Sequence, residues 1–333
     1  SLKRLLTECS GSASHVVFES GGDPFQNVGD LGYGNYGKVE KVILKDGRHL
    51  AEDFWNASGE VFARKIICAN RRQSTQAVEN ELASVRGLRH HHIVDVLLTF
   101  EEPGKKYGKK TFGIIMGDVA DCNLREYLEM VETDLPQIEQ HDLTSWIACL
   151  ASGLEFIHSK NIRHKDIKAF NILIKDGNAL YSDFGIAKLF EDNDAKTQGI
   201  STGHTPMYCA PEVAHKRPRG RSTEMFSLGC VFLEILTVHS HIPGSTLGDF
   251  VKWRGQERHR AYHLDPDCSL RWLAHLVHQN LTISASGFHN ICFAALNPDL
   301  DRRNKQKPKG MDWLSVAASP PLERERILLL HWQ

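Results

Sequence analysis

Short runs of apolar residues, bounded by polar or turn-forming residues, occupy the first third of the chain. Four of these runs have the character of β-strands, at residues 39–44, 61–67, 93–100 and 110–116. Consecutive strands of this length usually lie next to each other in one sheet. The pattern therefore predicts a mainly antiparallel sheet in the amino-terminal part of the chain.

One helix is expected within the same region. Apolar residues recur at intervals of four, three and three along residues 76–89, at Val78, Leu82, Val85 and Leu88. This spacing places all four side chains on one face of an α-helix. We expect that face to be buried.

The second half of the chain has the period of helices. Asp142 precedes a stretch whose apolar residues share one helical face. These residues are Trp146, Ile147, Leu150, Leu154 and Ile157. The longest apolar run, residues 225–236, is interrupted by Ser227 and Glu234. It is shorter than the roughly 20 residues that a membrane span needs, so we interpret it as a buried helix.

Length and charge narrow the class of protein. A chain of 333 residues is long enough for two cores, and 40 basic residues against 41 acidic ones give a net charge of −1. This balance gives no reason to expect nucleic acid or an anionic membrane as a partner. The eight cysteines include no Cys-x-x-Cys pair, which favours reduced thiols in a cytosolic or nuclear protein. The first residues lack an initiator methionine and the hydrophobic core of a signal peptide, so we expect a fragment without a secretory leader.

Gly32, Gly34 and Gly37 have the Gly-x-Gly-x-x-Gly spacing that lets a backbone approach phosphate groups. The same spacing occurs in dinucleotide-binding folds, where a helix follows the glycines. Here the following residues, 39–44, have strand character instead. We therefore favour a phosphate-covering hairpin over a dinucleotide site.

The strand at residues 61–67 carries Lys65 in its middle. A strand lysine is usually only a solubilising residue, but here the following helix offers a carboxylate partner. We pair Lys65 with Glu81, which lies beside the apolar stripe. Glu79 is the rival, and it points to nearly the opposite helical face because it lies two residues away. Lys65 is thus the candidate anchor for the α- and β-phosphates.

Two short motifs supply the groups that phosphoryl transfer requires. Residues 164–171 read His-Lys-Asp-Ile-Lys-Ala-Phe-Asn, and residues 183–185 read Asp-Phe-Gly. Transfer of a γ-phosphoryl group needs a carboxylate facing the acceptor hydroxyl, a cation on the phosphate and oxygen ligands for Mg²⁺. The candidates for these roles are, in that order, Asp166, Lys168 and the pair Asn171 and Asp183. Each motif alone occurs by chance, whereas the combination predicts a phosphotransferase.

A third motif completes the pattern. After the polar run at residues 191–199, residues 210–212 read Ala-Pro-Glu. With glycine loop, strand lysine, helix glutamate, catalytic loop, metal-binding turn and Ala-Pro-Glu in this order, the chain resembles the eukaryotic protein kinase family from Gly29 to Arg303. The chain has Lys168 two residues after the catalytic aspartate and Thr205 before a proline. In both positions it resembles the serine/threonine branch of the family.

The resemblance implies an α+β, bilobal fold. A small amino-terminal lobe would hold the antiparallel sheet and one helix, and a larger carboxy-terminal lobe would be mainly α-helical. The implied boundaries are an extension at 1–24, an ATP-binding lobe at 25–119, a catalytic and substrate-binding lobe at 120–303 and an irregular tail at 304–333. Residues 117–120 would be the hinge.

The resemblance also implies activity and ligands. Such an enzyme transfers the γ-phosphate of Mg²⁺-ATP to a serine or threonine hydroxyl of a protein substrate. The implied catalytic residues are Asp166, Lys168, Lys65 and Glu81. The implied Mg²⁺ ligands are Asn171 and Asp183. The residues expected to contact ATP are Leu31, Gly32, Gly34, Gly37, Val39, Ala63, Lys65, Met116, Gly117, Val119 and Leu173.

Lys165 and Glu224 depart from the family pattern. Lys165 stands where arginine is usual, which keeps the positive charge but loses the planar fork that binds a phosphate. If an upstream kinase modifies Ser201 or Thr202, Lys165 would attract the new phosphate only as a point charge; both residues are otherwise ordinary loop residues. Glu224 stands where an aspartate normally anchors the backbone of the catalytic loop, and it either still reaches that backbone or loosens it.

Further departures bear on activity and specificity. Phe170 and Asn123 replace acids with which some members recognise basic residues upstream of the acceptor, so strong selection for basic substrates is not expected. After Arg303 the chain becomes basic and loop-like where the family has a final helix. The alternative reading is therefore a pseudokinase or nucleotide-binding scaffold with little or no turnover. A small-molecule kinase is disfavoured because Ala-Pro-Glu and its loop form a platform for peptide substrates.

Overall fold

The computed structural model describes residues 14–19, 22–34, 37–45, 61–68, 82–83, 85–103, 110–117, 119–133, 141–184, 207–215, 220–255, 261–281, 283 and 287–305. The chain divides into two compact units. The first comprises Ser1–Asp121 and Ser182–Ser201, and the second comprises Cys122–Tyr181 and Thr202–Gln333.

The first unit contains a six-stranded sheet. Its strands are β1 (Ser14–Val17), β2 (Phe25–Gly34), β3 (Gly37–Leu44), β4 (Val61–Cys68), β5 (Val96–Pro103) and β6 (Lys110–Met116). Their spatial order is β1-β5-β6-β4-β3-β2. The strands β2 to β6 pair antiparallel, as expected, whereas β1 pairs parallel with β5.

The prediction of a strand at residues 93–100 was wrong in its bounds, because β5 covers Val96–Pro103. Ile93 closes a turn instead, with its N–H bonded to the carbonyl of His90 at 3.0 Å. Ile93 and Val94 are nevertheless buried. Ile93 forms only an isolated β-bridge and Val94 lies outside any strand, so their apolar character reflects burial more than pairing in β5.

One face of the sheet carries an aromatic core. Alternate residues of neighbouring strands meet there because side chains of a strand point to opposite faces in turn. Its members include Val16, Phe18, Phe25, Val42, Phe62, Leu98, Phe100 and Ile115. The segment before β2 thus contributes two buried side chains to this core.

The expected helix at residues 76–89 is described only in part. Residues 82–83 and 85–86 are helical, and Leu82, Val85 and Leu88 are buried as the stripe predicts. Val78 lies outside the described residues.

The second unit is mainly helical, with one small sheet. Its strands β7 (Cys122–Asn123), β8 (Ile172–Lys175) and β9 (Asn178–Tyr181) lie in that order. Its helices are α1 (Leu124–Thr133), α2 (His141–Ser159), α3 (Pro211–Ala214), α4 (Arg221–His239), α5 (Leu247–Trp253), α6 (Pro266–Gln279), α7 (Phe288–Leu296) and α8 (Leu300–Lys305). Two 3₁₀ turns lie at Ala169–Asn171 and Tyr262–Leu264.

Helix α4 is the centre of this unit. It is buried on all sides and packs against α2, α6 and α7, which confirms the interpretation of residues 225–236 as a buried helix. At Gly229 a Cβ atom would lie only 2.8 Å from the Cβ of Ala295 on α7. Glycine therefore allows the two helices to approach closely.

Helix α2 buries the predicted stripe from Trp146 to Ile157. It includes Asp142 within its first turn rather than starting after it. Among the described residues, no helix has both the length and the apolar composition required to cross a membrane.

Candidate functional site

The glycine motif lies in an antiparallel hairpin. Gly34 at the end of β2 pairs with Gly37 at the start of β3, so a strand rather than a helix follows the glycines, as predicted. At Gly37 a Cβ atom would lie 1.9 Å from the carbonyl oxygen of Ile66, whereas at Gly32 nothing lies within 4 Å. Gly37 is thus required by the approach of β4, a reason that the glycine spacing alone does not reveal.

A network of charged side chains supports this hairpin. Lys38 Nζ lies 2.6 Å from Asp30 Oδ1 and 3.1 Å from Glu40 Oε1. Glu40 also accepts a 2.6 Å bond from Arg64 of β4, which contacts Asp23 as well. Burial opposes ionisation of Glu40, but the bonds from Arg64 and Lys38 outweigh it and lower the pKa of the carboxyl. Sequence reasoning did not identify this network.

The face of the six-stranded sheet opposite the aromatic core carries residues expected to contact ATP. The register pairs Val39 with Lys65 and Ala63 with Met116, and Ala63 lies two residues before Lys65. Side chains paired across strands, or two apart along one strand, share a face. The structure therefore brings Val39, Ala63, Lys65 and Met116 to one side of the sheet.

A mostly apolar pocket lies in the first unit beside this face. Its lining comprises Lys65, Val85, Val94, Val96, Ile114, Met116, Ser182, Asp183 and Phe184. Within it, Lys65 Nζ forms an ion pair of 2.7 Å with Asp183 Oδ1. Asp183 has a φ angle of 56°, which is the left-handed region that aspartate tolerates better than most residues. The expected partner Glu81 lies outside the described residues.

The other residues expected at the nucleotide site lie on separate elements of the two units. Leu31 on β2 is exposed, and the Gly117 N–H bonds to the carbonyl of Asp95 at 3.0 Å. Leu173 lies on β8 of the second unit, where it pairs with Leu180 of β9. Val119 is half-buried.

The catalytic loop of the second unit forms a closed set of polar contacts around Asp166. Asn171 Nδ2 donates to the Asp166 carbonyl at 2.8 Å and to its carboxylate Oδ2 at 2.9 Å. Lys168 Nζ lies 2.8 Å from the same Oδ2. Residues 169–171 form the 3₁₀ turn that returns Asn171 towards Asp166. Local chain geometry therefore brings together three of the groups predicted from the motif.

Glu224 on α4 anchors this loop through its carboxylate. Its Oε1 accepts the backbone N–H of Lys165 at 2.6 Å, and its Oε2 lies 2.7 Å from His158 Nε2. Burial opposes ionisation of Glu224, yet these hydrogen bonds prevail and lower the pKa of its carboxyl below the usual value. Of the two outcomes considered from the sequence, the longer side chain still reaches the loop.

His164 packs in the core of the loop. It is fully buried, and its ring lies 5.5 Å from that of Tyr181 on β9. The Tyr181 hydroxyl donates to the carbonyl of Leu150 on α2 at 2.8 Å. The loop is thereby joined to both the small sheet and helix α2.

A buried carboxylate supports the segment before α3. Glu234 on α4 accepts hydroxyl hydrogen bonds from Tyr208 at 2.8 Å and from Tyr262 at 2.9 Å. Burial raises the pKa of Glu234, and the tyrosine hydroxyls only partly offset this effect. Sequence reasoning missed this cluster; a lone glutamate inside the apolar run 225–236 was its only signal.

Glu212 on α3 and Arg303 on α8 form a buried ion pair. Arg303 Nη2 bonds to Glu212 Oε2, and its Nη1 donates to the carbonyl of Ser222 at 2.9 Å. This pair joins α8 to α3 and α4. Other predicted positions, among them Ser201, Thr202, Thr205 and the tail from residue 306, lie outside the described residues.

Comparisons with known proteins agree with this arrangement. The family model described as protein kinase domain matches residues 25–261. The chain is 29% identical over 208 residues to "Serine/threonine-protein kinase 36" of Pongo abelii, which covers 62% of this chain and 14% of that protein. It is 29% identical over 210 residues to "Serine/threonine-protein kinase Nek1" of Mus musculus, covering 62% and 16%. It is 30% identical over 231 residues to "Putative ribosomal protein S6 kinase alpha-1" of Caenorhabditis elegans, covering 68% and 26%.

The chain therefore belongs to the protein kinase family, in its serine/threonine branch. The match spans less than a third of each of these three relatives.

Proposed function

We propose that this chain is a serine/threonine protein kinase that transfers the γ-phosphate of Mg²⁺-ATP to a hydroxyl of a protein substrate. The observation that carries the proposal is the arrangement around Asp166. Its carboxylate is held by Asn171 at 2.9 Å and Lys168 at 2.8 Å, on a loop that Glu224 fixes through the Lys165 amide at 2.6 Å. A carboxylate held in this way can orient an acceptor hydroxyl and accept its proton.

Lys168 and Lys65 supply the positive charge that phosphoryl transfer needs. Lys168 lies beside the proton acceptor, so its ammonium can neutralise the phosphate that approaches there. Lys65 faces the same side of its sheet as Val39 and Ala63. In the proposed function Lys65 exchanges its contact with Asp183 for the α- and β-phosphates of ATP.

Asn171 and Asp183 offer the oxygen donors that Mg²⁺ prefers. The amide nitrogen of Asn171 is committed to Asp166, so its amide oxygen is the atom suited to a cation. The Asp183 carboxylate, which pairs with Lys65 in this structure, is the second candidate ligand. When bound there, Mg²⁺ would supply positive charge that neutralises the transferring phosphate.

The adenine would lie against the apolar side chains of Val39, Ala63, Met116 and Leu173. An apolar slot with few polar groups is the usual environment of a flat heterocycle. Mutual placement of Val39, Ala63 and Met116 on one sheet face supports this assignment.

The second candidate function is a nucleotide-binding scaffold with little turnover. Lys165 in place of the usual arginine favours it, because a lysine holds a regulatory phosphate on Ser201 or Thr202 less specifically. Glu224 does not favour it, since one of its oxygens accepts the Lys165 N–H of the loop and the other contacts His158 on α2. Binding of Mg²⁺-ATP without transfer would support the scaffold.

We also propose a reducing compartment for this chain. The six cysteines whose side chains are described carry thiols rather than disulfides, and all but Cys122 are buried. Burial raises the pKa of Cys230 and Cys292, which makes these thiols unreactive.

The test is Mg²⁺-dependent transfer of labelled γ-phosphate to serine and threonine peptides, with the wild type compared with Asp166→Asn. Asp176→Asn is the matched control, because Asp176 is an exposed aspartate in the turn between β8 and β9. We expect transfer by the wild type and the control and a loss of about 100-fold or more in Asp166→Asn. A folded wild type that is stabilised by Mg²⁺-ATP but transfers nothing would overturn the kinase assignment.

A further inference from the structure

Phe170 is an exposed aromatic side chain within the catalytic loop. Its two neighbours in the 3₁₀ turn, Ala169 and Asn171, are buried, whereas Phe170 is 53% exposed. Leaving apolar surface in water is unfavourable by about 25 cal/mol per Å². The ring therefore projects from a turn whose neighbouring residues are buried, and it is available for contact with another molecule.

The position of Phe170 relates it to the acceptor hydroxyl. Asn171, the next residue, bonds directly to the Asp166 carboxylate at 2.9 Å. An extended peptide advances about 3.3 Å per residue, so side chains within three positions of the acceptor lie within about 10 Å of it. A substrate that places its hydroxyl at Asp166 therefore carries neighbouring side chains past Phe170.

The charges around this turn give little support for a basic substrate residue. The turn packs against β7 and α1. There, Asn123 is neutral and caps α1, while the Glu126 carboxylate accepts the Asn123 N–H at 3.1 Å. Arg125 pairs with Glu129 at 2.7 Å.

Glu234, one of the buried acids of this unit, is also withdrawn from solvent. Glu234 is 2% exposed, and the hydroxyls of Tyr208 and Tyr262 occupy its oxygens. Among the described residues near the turn, the apolar ring is thus presented while the carboxylates are engaged within the unit. This combination suits an apolar partner.

On the basis of the proposed function, we propose that Phe170 selects protein substrates with an apolar or aromatic side chain within three residues of the acceptor hydroxyl. Burial of the two apolar surfaces against each other supplies the preference. An arginine or lysine at the same substrate position gains less, because the nearby carboxylates of Glu126 and Glu129 are already engaged in contacts within the unit.

The experiment is a positional peptide library around a serine or threonine acceptor. Each flanking position carries in turn leucine, phenylalanine, alanine, aspartate or arginine, and kcat/KM is measured for each peptide. We expect at least one position where leucine or phenylalanine exceeds arginine by about tenfold, the effect of about 1.4 kcal/mol of apolar contact. A flat profile, or a preference for arginine at every responsive position, would overturn the inference.

Two variants assign that preference to Phe170. In Phe170→Ala the apolar preference should disappear without a new one, and in Phe170→Glu arginine should become favoured by about threefold, as for an exposed ion pair. A purely structural role would instead lower kcat for all peptides equally and leave their ratios unchanged. Unchanged ratios in both variants would therefore contradict the proposal.

Leu281→Glu is the control for adding a carboxylate at an exposed apolar position. Leu281 is 83% exposed, and the preceding Asn280 bonds to the carbonyl of Ser240, just past the end of α4. Glu224, which anchors the loop of Asp166, lies at the other end of α4. At the helical rise of 1.5 Å per residue it is on the order of 24 Å from Ser240. The peptide profile of this variant should match that of the wild type.

A binding measurement separates this inference from the proposed function. Fluorescent versions of the same peptides are titrated with Asp166→Asn, with and without the Phe170 substitutions. Preference for apolar peptides in this variant supports the inference even if transfer is not observed. Transfer that depends on Asp166 but shows no such preference supports the kinase assignment and refutes the role of Phe170.

Discussion

The carboxylate of Glu224 accepts the backbone N–H of Lys165 at 2.6 Å through one oxygen and contacts His158 Nε2 at 2.7 Å through the other. Lys165 itself has a φ angle of 68°, a left-handed conformation that is unfavourable for most side chains. The bond from Glu224 fixes the residue immediately before Asp166 in this conformation. A buried residue of helix α4 thereby helps to position the residue that precedes the Asp166 carboxylate.

Shortening or removing this side chain should weaken the loop. We expect Glu224→Ala to destabilise the protein by about 2–4 kcal/mol, because it leaves two buried hydrogen-bonding groups without their partner. Glu224→Asp, which restores the residue usual in the family, should also destabilise, by about 1–2 kcal/mol, because the side chain here spans both contacts only with its extra methylene. Urea unfolding and kcat measured on the same samples test both expectations.

Glu129→Asp is the matched control for that substitution. Glu129 is an exposed acid of α1 paired with Arg125, and losing such a surface pair changes stability by at most about 1 kcal/mol. If Glu224→Asp were as stable as the wild type and more active, the structural role assigned to the longer side chain would be wrong.

The stability contributed by Glu224 should depend on pH. Its pKa in the folded protein is lowered from 4.5, so its contribution is fully present above pH 4.5 and is lost as the pH falls through the folded pKa. We expect the difference in unfolding free energy between the wild type and Glu224→Gln to shrink below pH 4.5. Urea unfolding at intervals between pH 7 and pH 3 measures this difference, and a constant difference would exclude the linkage.

Glu234 should have the opposite dependence. Burial raises its pKa in the folded protein above 4.5, so the folded state binds more protons than the unfolded state between the two pKa values. The contribution of the carboxyl is therefore greatest below pH 4.5 and declines as the pH rises through the folded pKa. The wild type should lose stability relative to Glu234→Gln over that rise, whereas a gain would show that the bonds from Tyr208 and Tyr262 outweigh burial.

The parts of the site that residue spacing alone predicts are those in which the interacting residues are close in the chain, whereas the grouping of Val39, Lys65 and Met116 rested on the family resemblance. Asp166, Lys168 and Asn171 lie within six residues, so a short loop brings them together almost independently of the rest of the fold. The hairpin of Gly34 and Gly37 is local for the same reason.

The parts that escaped prediction depend on contacts between distant segments. Glu234 meets Tyr208 and Tyr262, which lie 26 and 28 residues away, and no spacing rule relates them. Whether the Glu224 carboxylate reaches the Lys165 N–H could not be read from the sequence, because the two residues are 59 positions apart in the chain. In both examples the missing information was the packing of helix α4 against its neighbours.

Gly37 and Gly32 should respond differently to alanine, although both belong to one motif. At Gly37 a Cβ atom would lie 1.9 Å from the carbonyl oxygen of Ile66, and at Gly32 it would meet nothing within 4 Å. Gly37→Ala must push β3 away from β4, so we expect a loss of about 2 kcal/mol or more in stability, as for overpacking. The unfolding free energy of Gly32→Ala should lie within about 0.5 kcal/mol of the wild-type value. Thermal unfolding without nucleotide compares the stabilities of the two variants.

Strand β1 should be part of the folded first unit although it precedes the glycine hairpin by several residues. Phe18, immediately after this strand, is 6% exposed and its ring lies 5.2 Å from that of Phe100 on β5. Truncating a buried phenylalanine to alanine destabilises a protein by about 3–5 kcal/mol, so we expect Phe18→Ala to have an effect of this size. Val17→Ala is the control, because Val17 is 64% exposed on the same strand and should change stability by less than about 0.5 kcal/mol. Equal unfolding midpoints for the two variants would mean that residues 14–18 contribute nothing to the core, whereas a loss confined to Phe18→Ala would establish this segment as a structural strand of the sheet.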